Sequence, residues 1–159
     1  MRDASEIIQA VEDGNIELVR KEIDADPSLV HKRFDCDDQL LHYACWQKKK
    51  DIVDFLIDRG ADVNSTGDCK KTPLHYAVYE GEKDSLPIVT VLHNAGADLD
   101  REDQFSCAPL DYAVIECHSE LDDAVQYLID QGARINIWLL WGWDTQIASN
   151  RYWRRLEAT

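Results

Sequence analysis

Thr72-Pro73-Leu74-His75-Tyr76-Ala77 decides how the chain is read, because every residue in it suits the start of a short, packed helix. Thr72 is an N-cap residue able to accept a backbone N–H. Pro73 fits the first helical position, where its missing donor costs nothing, and Leu74 and Ala77 open an apolar face. A degenerate copy, Gln39-Leu40-Leu41-His42-Tyr43-Ala44, lies 33 residues upstream, and Ala108-Pro109-Leu110-Asp111-Tyr112-Ala113 lies 36 residues downstream. Segments that return at this interval mark a repeat array, in which each unit buries its apolar side only against its neighbours.

A second signature keeps the same phase. Gly60-Ala61-Asp62-Val63-Asn64, Gly96-Ala97-Asp98-Leu99-Asp100 and Gly132-Ala133-Arg134-Ile135-Asn136 are spaced 36 and 36 apart, each with a glycine where a helix ends. A T-P-L-H-x-A helix start paired with a G-A-D-x-N helix end resembles the ankyrin repeat, a β-turn finger plus two antiparallel helices. The resemblance covers about residues 4 to 136. It implies an all-α solenoid of helix-turn-helix units forming a single domain over residues 1–159. The units run at about 3–33, 34–66, 67–102 and 103–136, and residues 137–159 form a C-terminal half-repeat cap.

Within the units, Ile16, Val19 and Ile23 recur on one helical face, and Asp26-Pro27 ends that helix. In the second unit Asp38 is placed to cap a helix over 39–47. Lys48-Lys49-Lys50 reads as a solvated turn favoured by the preceding helix dipole. The third and fourth units each hold 21 residues between the box position and the closing glycine, against 18 in the second. Their inter-helix loops are therefore lengthened, with Pro87 in the first turn of the following helix. The fourth unit has Ala108 and Asp111 in place of Thr and His, which predicts the frailest helix start.

Acidic residues number 31 against 17 basic, for a net charge of −14. That balance repels nucleic acid and anionic membrane and favours a protein partner with a basic surface. Met1-Arg2-Asp3-Ala4-Ser5-Glu6 leads into a polar amphipathic helix without an apolar h-region, and no run approaches 18 apolar residues, so a soluble, cytoplasmic protein, monomeric alone, is expected. Cys36, Cys45, Cys69, Cys107 and Cys117 form no C-x-x-C pair and read as reduced thiols. Cys36, His42 and Cys45 lack the convergent four-ligand spacing of a zinc site. With no phosphate-binding glycine loop and no paired carboxylates, the chain is expected to have no catalytic residues and no cofactor or metal.

In ankyrin-repeat proteins the partner is usually another protein, held in a concave groove by finger tips and the exposed side of each first helix. The resemblance carries this onto Trp46-Gln47, Tyr79-Glu80 and Ile115-Glu116, just after each Tyr-Ala dipeptide or its neighbour, so that Trp46, Tyr79 and Ile115 form a ladder. Finger residues Asp35, Asp37, Asp38, Asp68, Lys70, Lys71, Glu102, Asp103, Gln104 and Phe105, largely acidic, border it, while Tyr43, Tyr76 and Tyr112 read as inter-repeat packing. Trp138, Trp141, Trp143 and Trp153 either cover the last apolar seam or form an interface, since Trp and Arg are enriched in hot spots. Ala25-Asp26-Pro27-Ser28-Leu29-Val30 resembles small bacterial members of the family. Some of these are immunity proteins, which gives two roles: a general interaction module, or an inhibitor of a basic secreted toxin.

Overall fold

A computed structural model of the chain describes residues 4–79, 85–116 and 123–136. The inserted loops, Cys117, Glu80 and the 137–159 cap with its four tryptophans lie outside the described residues. The eight described helices are α1 (Ala4–Glu12), α2 (Ile16–Ala25), α3 (Leu40–Trp46), α4 (Lys50–Asp58), α5 (Pro73–Val78), α6 (Ser85–Asn94), α7 (Pro109–Glu116) and α8 (Asp123–Asp130). They pair as antiparallel hairpins. α1, α3, α5 and α7 stack as one layer, and α2, α4, α6 and α8 stack as the second. Short 3-10 turns at Pro27–Val30, Asp35–Asp37 and Asp68–Lys70 join the units.

The core is the seam between the two layers. Leu40, Leu41, Leu74 and Leu110 enter it from the first helices, and Ile23, Ile52, Leu56, Ile88, Leu92 and Leu128 from the second. Each such side chain contributes about 1.5–3 kcal/mol by leaving water, and truncating one to Ala costs about 2–5 kcal/mol once the cavity is counted. Pro87 lies in the first turn of α6, where its missing N–H is harmless.

All three glycine signatures close their helices by one device. Gly60, Gly96 and Gly132 take φ of 85°, 91° and 84°, a left-handed conformation that costs other residues dearly. The following amides of Ala61, Ala97 and Ala133 donate back to the carbonyls of Leu56, Leu92 and Leu128 at 2.9, 3.0 and 3.0 Å. That six-to-one bond is the Schellman closure. The last residue of the signature then ties neighbouring units together. Asn64 donates from Nδ2 to the Gly96 carbonyl and accepts from the Asp98 N–H, and Asp100 accepts from the Arg134 N–H at 2.7 Å.

Two local expectations are corrected. The N-cap of α3 is Gln39 rather than Asp38, whose carboxylate turns towards the next finger. Lys48 is not a solvated charge: its Nζ donates to the carbonyls of Tyr76, Ala77 and Tyr79 at 3.1, 2.9 and 3.0 Å. It crosses one unit to satisfy the orphan acceptors at the C-terminus of α5, where a cation is also favoured by the helix dipole. Among the described residues no helix is long and apolar enough to cross a membrane.

Candidate functional site

The box histidine fixes where each first helix begins and ties it to the unit that follows. His75 Nδ1 accepts the Thr72 N–H at 3.0 Å and lies 2.8 Å from the Thr72 hydroxyl, while Nε2 meets the Cys107 carbonyl at 3.1 Å. A backbone N–H can only donate and a carbonyl can only accept, so the ring is neutral with its hydrogen on Nε2. His42 repeats the arrangement, accepting from Gln39 N–H at 3.0 Å and donating to the Ser65 carbonyl at 3.2 Å. Burial lowers the pKa of both imidazoles. With both nitrogens spent on backbone, neither ring has a lone pair left for a metal.

Asp111 does the same work in the fourth unit with one polarity reversed. Its Oδ2 accepts the Ala108 N–H at 2.7 Å, and its Oδ1 accepts the Asn136 N–H at 2.7 Å where a histidine would donate to a carbonyl. The reach-back half of the box is therefore present, while Ala108 has no side-chain oxygen to supply the other half that Thr72 provides in the third unit. Burial raises the Asp111 pKa even though both N–H donors favour the charged form.

The finger turns share one geometry. Phe34, Gly67 and Asp103 donate to the carbonyls of Asp38, Lys71 and Cys107 at 2.8, 2.9 and 3.0 Å, and Asp37, Lys70 and Ser106 take φ of 67°, 61° and 57° to close each turn. Two carboxylates lock this layer. Asp38, only 6% exposed, accepts the Asp68 N–H at 3.1 Å and faces the Tyr76 hydroxyl at 3.1 and 3.2 Å. Asp103 accepts the N–H groups of Phe105 and Cys107 and the Tyr112 hydroxyl, the last at 2.6 Å. Burial raises the Asp38 pKa, opposed by His42 and the Asp68 N–H, and it pushes the Tyr43 phenol up to about 12. Gly67 is needed here, since a Cβ on it would fall 1.7 Å from the Asp38 Oδ1.

The candidate ladder is brought together only in part. Trp46 is 43% exposed and packs on Tyr76, with ring centroids 6.2 Å apart. Gln47 is exposed beside it. Tyr79 is half-buried and leans on Tyr112 at 6.0 Å. Asp35, Asp37 and Asp68 are exposed as expected, and Phe105 is 59% exposed, whereas Asp38 is turned inward and acts through the tyrosine it holds. Ile115 and Glu116 belong to α7, but their side chains, like Glu80, Trp138, Trp141, Trp143 and Trp153, lie outside the described residues.

Three residues have roles that the repeat pattern gave no sign of. Lys71 reaches across the face, its Nζ 5.4 Å from the Tyr79 ring and 5.2 Å from the Tyr112 ring. Tyr76 and Tyr112 are seam residues as expected, yet their hydroxyls also orient the two buried carboxylates. The signal available in sequence was only that tyrosine, which carries a polar tip, stands where an all-apolar residue would pack equally well. Rings, hydroxyls, carboxylates and finger backbone are thus tied together by hydrogen bonds and ring contacts along the finger and first-helix layer. Among the described residues no group of three His, Cys, Asp or Glu side chains converges as a metal site.

Comparison with known proteins agrees with this geometry. No curated protein matches the chain significantly. The family model described as ankyrin repeats (3 copies) matches residues 7–103 and again residues 41–137, overlapping as it would on a longer array. Ankyrin repeats are generally protein–protein interaction modules and typically non-catalytic. With most of its length matched and with the stacked hairpins, left-handed glycine closures and histidine-tied helix starts in place, the chain belongs to the ankyrin-repeat family.

Proposed function

We propose that the chain is a non-catalytic module that holds another protein through the groove lined by its first helices and finger turns, with Trp46 at the centre of the contact. The observation that carries this is the exposure of Trp46, 43% of a large aromatic surface on a helix whose Leu40, Leu41, Ala44 and Cys45 are fully buried. An exposed tryptophan lowers solubility unless a partner covers it, and Trp is the residue most enriched at binding hot spots. The exposed carboxylates of the finger turns, Asp35 and Asp68 together with Asp37, which is paired with Arg33, favour a partner with a basic surface. Replacing Trp46 or Tyr79 with Ala should weaken partner binding by more than about 1 kcal/mol each while leaving the helical circular-dichroism signal intact. Unchanged affinity in both variants would remove the groove from the reading.

The net charge of −14 favours a second role, inhibition of a basic secreted toxin, because an acidic face speeds association with a cationic active site. The neighbouring gene is the first discriminator, a toxin reading frame immediately upstream supporting inhibition and a lone gene the general module, and co-expression with that neighbour's C-terminal domain then decides. Restored growth with a stable complex supports inhibition, and failure of both leaves the general module.

A further inference from the structure

The two aromatic pairs on the groove face are the same feature in successive units, and they differ in the first ring, Trp46 against Tyr79, and in one charged residue. Trp46 and Tyr79 each stand four residues after a box histidine, and Tyr76 and Tyr112 each stand one residue after the next unit's box residue. Trp46 packs on Tyr76 as Tyr79 packs on Tyr112, at 6.2 and 6.0 Å. Four residues before the histidine, the lower pair has Lys71 and the upper pair has Asp38. Lys71 extends its ammonium over both rings of its pair. At the equivalent place beside Trp46 and Tyr76 the chain supplies a carboxylate, held by the Tyr76 hydroxyl and the Asp68 N–H.

A cation over an aromatic face is attracted by the ring quadrupole, and a nearby carboxylate strengthens the field it feels. The Tyr79–Tyr112 pair satisfies this from within the chain. Both pairs have a carboxylate on the tyrosine hydroxyl, Asp103 on Tyr112 and Asp38 on Tyr76, but the Trp46–Tyr76 pair has the stronger ring, the more exposed surface and Asp38 where the other pair has Lys71. Arginine fits it better than lysine, since a planar guanidinium stacks flat on an indole. We propose that the Trp46–Tyr76 pair is a receptor for an arginine side chain of the partner protein, stacked on the indole in the field of Asp38 and of the exposed Asp35 and Asp68, Asp37 being paired with Arg33 at 2.7 Å. This rests on the groove reading above and names the chemistry of the residue that enters it.

The test uses the peptide acetyl-Gly-Arg-Arg-Gly-amide and its citrulline analogue, which keeps the shape without the charge, titrated into the full chain and followed by amide and indole N–H shifts. The arginine peptide should move the Trp46 indole signal and the amides of residues 38–46, and the citrulline peptide should bind at least about fivefold more weakly, the worth of a 1 kcal/mol cation–ring contact. Trp46→Leu changes no charge, so it should lower affinity for the arginine peptide by a similar factor while non-specific attraction to an acidic protein persists. Asp38→Lys, if folded, should fill the receptor from within and abolish the shift. Equal binding by wild type and Trp46→Leu, or equal binding of the two peptides, would overturn the proposal. If partner affinity still fell on Trp46→Ala, the groove reading would stand and only the arginine receptor would be lost.

Discussion

Protonating His75 would set a hydrogen on Nδ1 directly against the Thr72 N–H, and protonating His42 would do the same against Gln39. Both rings have pKa values lowered below the usual 6.5 by burial. The unfolded chain therefore takes up these protons first, and the stability tied to the two neutral rings is complete above about pH 6.5 and lost as pH falls below it. Asp38 and Asp111 act in the opposite sense, since their raised values let the folded state accept protons before the unfolded one as pH approaches 3.8. At pH 6.5 the ring nitrogens of His42 and His75 should remain those of the neutral Nε2–H tautomer in 15N NMR. Half-protonated rings at that pH would show that burial does not govern them. The box histidines were legible in sequence because their bonds to the helix start are local, three residues apart. That Asp111 replaces one of them by reversing a donor and an acceptor was not, because its second partner, Asn136, lies 25 residues away.

Among the elements, α5 shows most plainly what periodicity leaves out. Its start is fully written in Thr72, Pro73 and His75, but its end is completed by Lys48 from the preceding unit. Lys48 takes a left-handed φ of 54°, a conformation in which a lysine is strained. Three carbonyls converging on one ammonium offset that strain, since hydrogen bonds to a charged group are each worth about 1.5–3 kcal/mol. Lys48→Met keeps the strain and loses the bonds, and should destabilise the fold by about 1–3 kcal/mol in urea unfolding. Lys48→Gly loses the same bonds but relieves the backbone, so it should cost less. Equal stability of Lys48→Met and wild type would mean that the end of α5 is satisfied without this lysine. In the triple lysine the sequence displayed only charge beside a helix end, and which carbonyls one of them reaches depends on how the units stack.

For the whole molecule, the two-layer stack and its closures followed from six short segments in register, because every unit repeats the same local rules. The binding face was legible in its positions and not in its couplings. Trp46, Asp35, Asp37 and Asp68 stand exposed where the finger and helix pattern put them, while Asp38 turned out to be a buried anchor and Lys71 a cation laid over two rings. Asp38 to Asp68 and Lys71 to Tyr112 join residues 30 or more apart and arise only when adjacent units stack, although Lys71 to Tyr79 spans only eight. If this face is where the partner sits, a photoreactive benzoylphenylalanine in place of Trp46 should cross-link to it in cells. The same group in place of Asp58, exposed at the end of α4 in the other layer, should not. Cross-linking from position 58 with none from position 46 would place the partner on the second-helix layer and contradict the groove.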